Sequence, residues 1–418
     1  MPVAAAMRAG ADVDAVDGVV PRFVAEPESA EAFAETLAQA SRDGLQTVIR
    51  GGGTKLDWGR PPGAVDLVVS TARLNRLVAH RHGDLTVTVQ AGMTLRDLNL
   101  ALQGQNQWLP VESAFDGASV GGIVATNDSG PSRHRNGTPR DLVIGITLAL
   151  TDGRVIKAGG TVVKNVAGYD LGKLVSGSHG TLAGIIDVTF KLVPIPAASS
   201  TLIALYSEPD GGALTREVAA LAASQIEPAA FDIAVAAGDA PYKLLLRIAT
   251  SAAATDAQIA IARAMVTGAV SVVRQDDHLP ALARMAMDAE QAIWAAHNRA
   301  PWRGDACVRF SWLPVKLPHV LALVGEIQHL DDVGATLIGR AAGSGLLRLS
   351  ANVRGLVAAI NRLRENPDVG NVVVLRAPRE VKEAVDVWGP PRDSDRVVRS
   401  LKQMFDPAGI LNANRGPV

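Results

Sequence analysis

Between residues 28 and 43 the apolar positions recur at helical spacing, with Ala30, Phe33, Leu37 and Ala40 on one side and Gly44 behind them. That period predicts a helix stopped by glycine. Residues 45–50 form a short strand-like run that feeds into three consecutive glycines, Gly51, Gly52 and Gly53. Further on, Leu85, Val87 and Val89 alternate with Thr86, Thr88 and Gln90, the period of a half-buried strand. Thr94 with Asp97 resembles a capping box that opens a helix reaching Leu102. Residues 142–150 predict a longer strand, Asp152-Gly153 a hairpin turn, and residues 154–158 the returning strand. Residues 169–176 predict a short helix stopped by Gly177, and residues 185–193 a strand that leaves through Pro194 and Pro196.

The texture changes after those prolines. Alanine-rich helical stretches alternate with strands at 242–248, 306–312 and 371–375, which predicts a sheet covered by helices. From Ser400 a short helix leads to Phe405-Asp406-Pro407-Ala408-Gly409 and a polar end, a segment expected to return to the first domain. The expected organisation is α+β throughout: a tail at 1–20, a first domain at 21–196, a second at 197–399 and a closing segment at 400–418. The first eighteen residues carry Asp12, Asp14 and Asp17 and lack an apolar core, so they are expected to fray and match neither a signal nor a transit peptide.

Bulk properties narrow the function classes. A chain of 418 residues with 48% apolar content and a formal net charge of −1 reads as globular, in two or three domains. No basic stripe with interleaved aromatics marks a nucleic-acid binder. The longest largely apolar run, 142–150, is about half of the ~20 residues a membrane helix needs. One cysteine, Cys307, excludes intrachain disulfides and cannot house an iron–sulfur cluster. A buried core thiol is expected, and a cytoplasmic chain, with attachment to the inner membrane through partners as the other reading.

The triple glycine carries the strongest chemical signal. Without Cβ atoms, successive backbone amides can approach a large anion closely and bind phosphate by donors and partial charge. A tight strand-ending turn would need the same residues. A second glycine-rich stretch, Asp116-Gly117-Ala118-Ser119-Val120-Gly121-Gly122, favours the phosphate reading, because two such loops can hold a diphosphate from both sides. The Walker-type Gly-x-x-x-x-Gly-Lys-Ser/Thr pattern is absent, and no Gly-x-Gly-x-x-Gly opens a helix after the first strand. A dinucleotide site here is of another kind.

Arg50-Gly-Gly-Gly-Thr54, Ser119-Val-Gly-Gly122, Gly177-Ser-His-Gly-Thr-Leu182 and Asp406-Pro-Ala-Gly409, in that order, resemble the vanillyl-alcohol-oxidase family of flavoproteins and its PCMH-type FAD-binding domain. Within it, Val163-Lys-Asn-Val-Ala-Gly-Tyr-Asp170, Ser129-Gly130-Pro131 and Arg140-Asp-Leu-Val143 are similar to the second flavin subunits of bacterial glycolate oxidases. The resemblance runs from about Pro21 to Gly416 and thins between Thr201 and Ser400. It implies a two-subdomain FAD-binding domain, a smaller α+β cap and a tail closing the flavin site. Arg50, Gly51, Gly52, Gly53 and Thr54, with Ser119, Val120, Gly121 and Gly122, would grip the FAD diphosphate. Ala125, Ser129 and Gly130 would leave room for the flavin ring. His179, Gly180, Gly184 and Ile185 would meet adenine, and Asn412 would approach the isoalloxazine. No histidine stands between Arg50 and Gly59, where family members with covalently linked flavin carry one, so non-covalent FAD is expected. The paired histidines that position the hydroxy acid in the catalytic flavin subunit have no counterpart in this chain.

Oxidising a 2-hydroxy acid needs a base for the hydroxyl proton and a cation for the carboxylate. Arg309 and Arg348, each in an apolar strand, are candidates for the carboxylate clamp, with a structural salt bridge as the other reading. His297 is the candidate base, with an ordinary helix-end histidine as the other reading. Asp288 and Glu290 are expected on the exposed face of that helix, and Trp108 and Trp312 in the core or an interface. The resemblance implies an FAD-binding subunit acting on a small 2-hydroxy acid together with a second flavin subunit and an iron–sulfur subunit. A non-catalytic scaffold of that complex, or a stand-alone flavin oxidoreductase with another donor, remain alternatives. Neither nucleic acid, metal nor direct membrane insertion is expected.

Overall fold

The computed structural model describes residues 3–161, 168–207, 211–236, 242–275, 288–330 and 332–416. Residues 163–167 of the Val163–Asp170 motif lie outside them. The chain divides into two compact units, Met1–Ser129 with Gly137–Ile195 and Pro390–Val418, and Gly130–Asn136 with Pro196–Gly389. The α+β class holds in both.

The first unit contains two principal sheets. In the four-stranded one the order is Met7–Ala9, Phe23–Ala25, Leu67–Ser70, Thr47–Arg50, with the last three parallel. The Ala30–Arg42 helix starts at Ser29, whose hydroxyl accepts from the Ala32 amide at 3.1 Å. It buries Phe33 and Leu37 in one cluster with Leu67, Val69 and Leu74. The five-stranded antiparallel sheet runs Leu77–Arg81, Thr86–Gln90, Gly184–Lys191, Val143–Ala149, Val155–Gly159. Helix Leu95–Gln103 packs Leu98 and Leu102 into its core, and helix Val120–Thr126 adds Ile123 and Val124. Fully buried leucines of this kind contribute roughly 1.5–3 kcal/mol each.

The N-terminal stretch differs from the frayed tail expected of it. Met7–Ala9 pairs antiparallel with Phe23–Ala25, and Asp14 is buried. The acidic residues that read as solvent-seeking include the counter-ion of a strand arginine, because Asp14 Oδ1 lies 3.0 Å from Arg50 Nη1. The C-terminal segment packs beside the same strand. Asp406 accepts from the Leu411 amide at 2.8 Å and from Lys402 Nζ at 2.5 Å, which turns the chain after helix Asp395–Phe405. Ile410 and Leu411 are fully buried, and the Asn412 amide donates to Thr47 O at 2.9 Å.

The second unit is built on an antiparallel sheet of eight strands among the described residues, ordered Ala269–Arg274, Ala198–Tyr206, Tyr242–Thr250, Ala230–Val235, Gly334–Arg340, Ser344–Ser350, Ala306–Trp312, Val369–Arg376. Alternate residues such as Leu202, Phe231, Leu244 and Leu347 join one large core with helices Gly212–Ala223, Ala252–Ala264, Leu317–Gln328 and Val353–Glu365. The intervening residues face the other way, where Trp294 of helix Ala289–Arg299 packs on Ala230 and Leu245. Glu290 is buried on that helix, not exposed: it accepts from Ser199 Oγ at 2.9 Å and Thr201 Oγ1 at 2.6 Å. Asp288 caps the helix, accepting from the Gln291 amide at 2.7 Å. Cys307 is buried, and burial pushes its thiol pKa well up.

Candidate functional site

Two loops of the first unit meet at backbone distance. Residues 51–54 continue the Thr47–Arg50 strand, and the second loop ends at Ser119, the cap of the Val120–Thr126 helix. A Cβ on Gly51 would stand 2.0 Å from Ser119 Oγ, and one on Gly52 would stand 1.8 Å from Gly117 O. Glycine is therefore demanded by the approach of one loop to the other, before any ligand is considered. Ser119 Oγ ties the two together, accepting from the Gly52 and Gly122 amides at 3.3 Å each.

The loops form one wall of a cleft that encloses about 870 Å³ of atom-free space, its mouth included. Of the residues singled out in the sequence, Gly51, Gly52, Gly53, Thr54, Ser119, Gly121, Gly122, Ala125, His179, Gly180, Ile185 and Asn412 line it. The others take different places. The Arg50 side chain turns to Asp14, and hydrogen bonds from Arg8 and Arg50, against the opposing effect of burial, hold that carboxyl well below the usual carboxylate range. Val120 is buried in the core of the five-stranded sheet. Gly184 is a packing glycine, since a Cβ there would stand 2.2 Å from the Phe33 ring. Ser129 and Gly130 do not appear in the described lining, and Gly130 belongs to the second unit.

Backbone donors around the cleft are only partly committed. The Val120 and Gly121 amides serve the fold, donating to Met93 O and Ala91 O at 2.8 and 2.7 Å. Among the described residues no hydrogen bond takes up the Gly53 and Thr54 amides. Gly53 sits at φ +71°, in the left-handed region that glycine enters without strain. Asn412 is also left-handed, at φ +44°, and its Nδ2 donates to His179 O at 2.6 Å. Its Oδ1 is buried with no hydrogen-bond partner among the described residues. Such an acceptor is costly unless a donor reaches it. Together, glycine backbone along the cleft, free amides and an unanswered amide oxygen fit FAD. The amides of residues 53 and 54 would face its diphosphate, and Asn412 would answer a donor of the ligand.

Sequence reasoning missed several lining residues, among them Lys55, Trp58 and Arg415. Arg415 Nη2 donates to the carbonyls of Leu56 and Trp58, the latter at 2.7 Å, and its Nε donates to Arg60 O at 3.2 Å. The end of the described chain thus staples the loop that follows the glycines. No local pattern announces a contact across more than 350 positions; a basic residue in an otherwise small, polar tail was the available hint.

The candidates for substrate chemistry lie in the second unit. Register places Asp232, Arg247, Arg309, Arg340 and Arg348 on the sheet face opposite the large helical core. Asp232 is fully buried and binds both Arg340 Nη1 and His297 Nε2, the latter at 2.9 Å. Burial raises its pKa, but the Arg340 charge and the His297 hydrogen bond outweigh burial and the net shift is downward. Arg348 Nη2 donates to Thr336 Oγ1 at 2.9 Å, and Arg309 sits in register between Leu346 and Val373. Arg247 donates to Ser132 Oγ at 2.6 Å and lies over the Trp294 ring at 4.9 Å. Asp232 was missed in the sequence, although a lone carboxylate between Phe231 and Ile233 flags a buried charge pair.

Residues 21–159 match the FAD binding domain family model. The chain is 36% identical to glycolate oxidase subunit GlcE of Escherichia coli over 179 residues, 42% of this chain and 51% of that protein. It is 34% identical to glycolate oxidase subunit GlcD of Bacillus subtilis over 214 residues, 51% and 45% of the two chains. It therefore spans about half the length of these relatives. The match to D-2-hydroxyglutarate dehydrogenase of Xanthomonas citri pv. viticola is longer, 32% identity over 334 residues, covering 75% of this chain and 70% of that protein. A solved structure of alkyldihydroxyacetonephosphate synthase shares the fold, with a TM-score of 0.68 over 95% of this chain and 77% of that one at 14% identity. The chain belongs to the PCMH-type FAD-binding family, of the vanillyl-alcohol-oxidase fold, and FAD is its cofactor.

Proposed function

We propose that this chain is the FAD-binding subunit of a glycolate oxidase-like 2-hydroxy-acid oxidoreductase, working with a second flavin subunit and an iron–sulfur subunit. The observation that carries the reading is the glycine-lined cleft in a chain whose relatives include the glycolate oxidase subunits GlcD and GlcE. Bound FAD supplies the hydride-accepting chemistry. The protein's part is to hold it through the loops at 51–54 and 119–122 without a covalent link, since the glycine loop has no histidine to form one. Arg309 and Arg348 are assigned to the substrate carboxylate and His297 to the hydroxyl proton. A cytoplasmic place for the complex accompanies this reading; among the described residues no helix is long and apolar enough to cross a membrane.

A second reading rests on the 334-residue match to a 2-hydroxyglutarate dehydrogenase, which reaches well beyond the FAD domain. On it, the chain acts alone on a longer 2-hydroxy acid. One experiment separates the two: the purified chain is loaded with FAD and mixed anaerobically with excess glycolate, then D-2-hydroxyglutarate, while the flavin absorbance is followed. The subunit reading expects no bleaching by either acid alone and bleaching by glycolate once the partner subunits are added. Bleaching by D-2-hydroxyglutarate in the isolated chain would replace it with the second reading. No bleaching by glycolate with the partners present would end the glycolate assignment.

A further inference from the structure

Lys55 follows the glycine loop directly and lines the cofactor cleft, yet its side chain is only 6% exposed. Its Nζ stands 3.0 Å from Asp128 Oδ2, 3.4 Å from Thr54 Oγ1, and 4.9 and 5.9 Å from the ring centroids of Phe115 and Trp58. Asp128 is itself 8% exposed and also accepts from Ser113 Oγ at 2.6 Å. Taking two charges out of water for one ion pair gains little stability over an apolar pair of the same volume. The position of Lys55 on the cleft offers another reason for the pair's presence.

Among the described lining residues there is no aspartate or glutamate, and the permanent cations are Lys55 and Arg415. Arg415 is committed to the carbonyls of residues 56, 58 and 60. Lys55 carries three donors on a flexible stem. In oxidised FAD at neutral pH the diphosphate is the charged part, whereas the isoalloxazine, ribityl chain and adenosine are neutral. Backbone amides answer that charge with partial charges alone.

We infer that Lys55 is a positioning residue that turns its ammonium to the FAD diphosphate, while Asp128 parks that ammonium beside the cleft and competes with the diphosphate for it. The inference rests on FAD being the cofactor. It predicts opposite signs for two changes that a purely structural ion pair would make alike. Asp128→Asn keeps the cation and removes its competitor; Lys55→Met with Asp128→Asn removes both charges at nearly constant volume, so no lone charge is left buried.

The test titrates the full-length apoprotein with FAD, and separately with ADP-ribose, which carries the diphosphate without a flavin. Circular dichroism checks that each variant is folded. Asp128→Asn is expected to bind FAD several-fold more tightly than the unsubstituted chain. The double variant is expected to bind about tenfold or more weakly than Asp128→Asn, with the same ratio for ADP-ribose and a weaker dependence on salt. Equal affinity of the two variants, within twofold, would overturn the inference, as would a loss seen with FAD and not with ADP-ribose. Failure of the unsubstituted chain to take up FAD would instead remove the cofactor assignment on which it rests.

Discussion

The glycine-lined cleft of the first unit and the charged sheet face of the second handle polar chemistry in opposite ways. In the cleft, side chains have been withdrawn: Gly51 and Gly52 lie where any Cβ would strike the neighbouring loop, and amides of residues 53 and 54 are left for a ligand. On the sheet face, side chains have been added: Asp232 is buried beneath Arg340 and His297, with Arg247, Arg309 and Arg348 on the same face. The first arrangement keeps backbone donors available by leaving side chains out. The second is stable only when every charge finds its partner, because an unpaired buried charge is far more costly than a paired one is favourable. Substitutions should therefore cost cofactor binding in the first region and, at the buried Asp232 cluster, folding in the second.

The largest effect is expected at Asp232. Asp232→Ala leaves Arg340 and His297 buried without their shared carboxylate and should destabilise the chain by about 3–5 kcal/mol. Urea unfolding measures this, and a loss under about 1 kcal/mol would show that water reaches the cluster. Gly52→Ala comes next, since the new methyl would overlap Gly117 O and force the two loops apart. Overpacking of this kind costs roughly 1–3 kcal/mol, and FAD retention on gel filtration should fall at least about tenfold. Gly63→Ala, where a Cβ meets nothing within 4 Å, is the matched control. If both glycine variants kept FAD equally, loop contact would not shape the site.

The smallest effect, and one that acid removes, is expected at Asp14. Its folded pKa lies below its unfolded value, so its stabilising contribution is complete above about pH 5 and fades as pH falls below about 4 toward the folded pKa. The stability gap between the unsubstituted chain and Asp14→Asn should therefore be constant from pH 5 to 8 and close on acidification. A gap that widened in acid would reverse the assigned role. This pair also refines the contrast between regions: Arg50 belongs to the glycine loop's sequence motif, yet its side chain behaves like the charges of the second unit.

Much of the frame could be read locally. The helix at Ala30–Arg42, the alternating strand at Thr86–Gln90 and the hairpin through Asp152 and Gly153 follow from periodicity and turn chemistry, which act over a few residues. The segment 116–122 read as a loop, and its second half is the start of helix Val120–Thr126, because glycines at helix positions 2 and 3 mask the signal of the Ser119 cap. Glu290 read as exposed for a similar reason: helical spacing gives the face, and only the hydroxyls of Ser199 and Thr201 make that face an interior one.

What the sequence alone determined is therefore the local backbone: where glycine must stand, where strands and helices begin, and that the loop after the triple glycine holds no histidine. Only the tertiary structure decided which charges and amides meet. Asp14 reaches Arg50 across 36 positions, Asp232 reaches His297 across 65 and Arg340 across 108, and Asn412 reaches His179 across 233. Backbone preference is a property of a residue and its neighbours, so it is written where it acts. A charge pair or a ligand contact is a property of two distant residues brought together by packing, and nothing in either one's surroundings names the other.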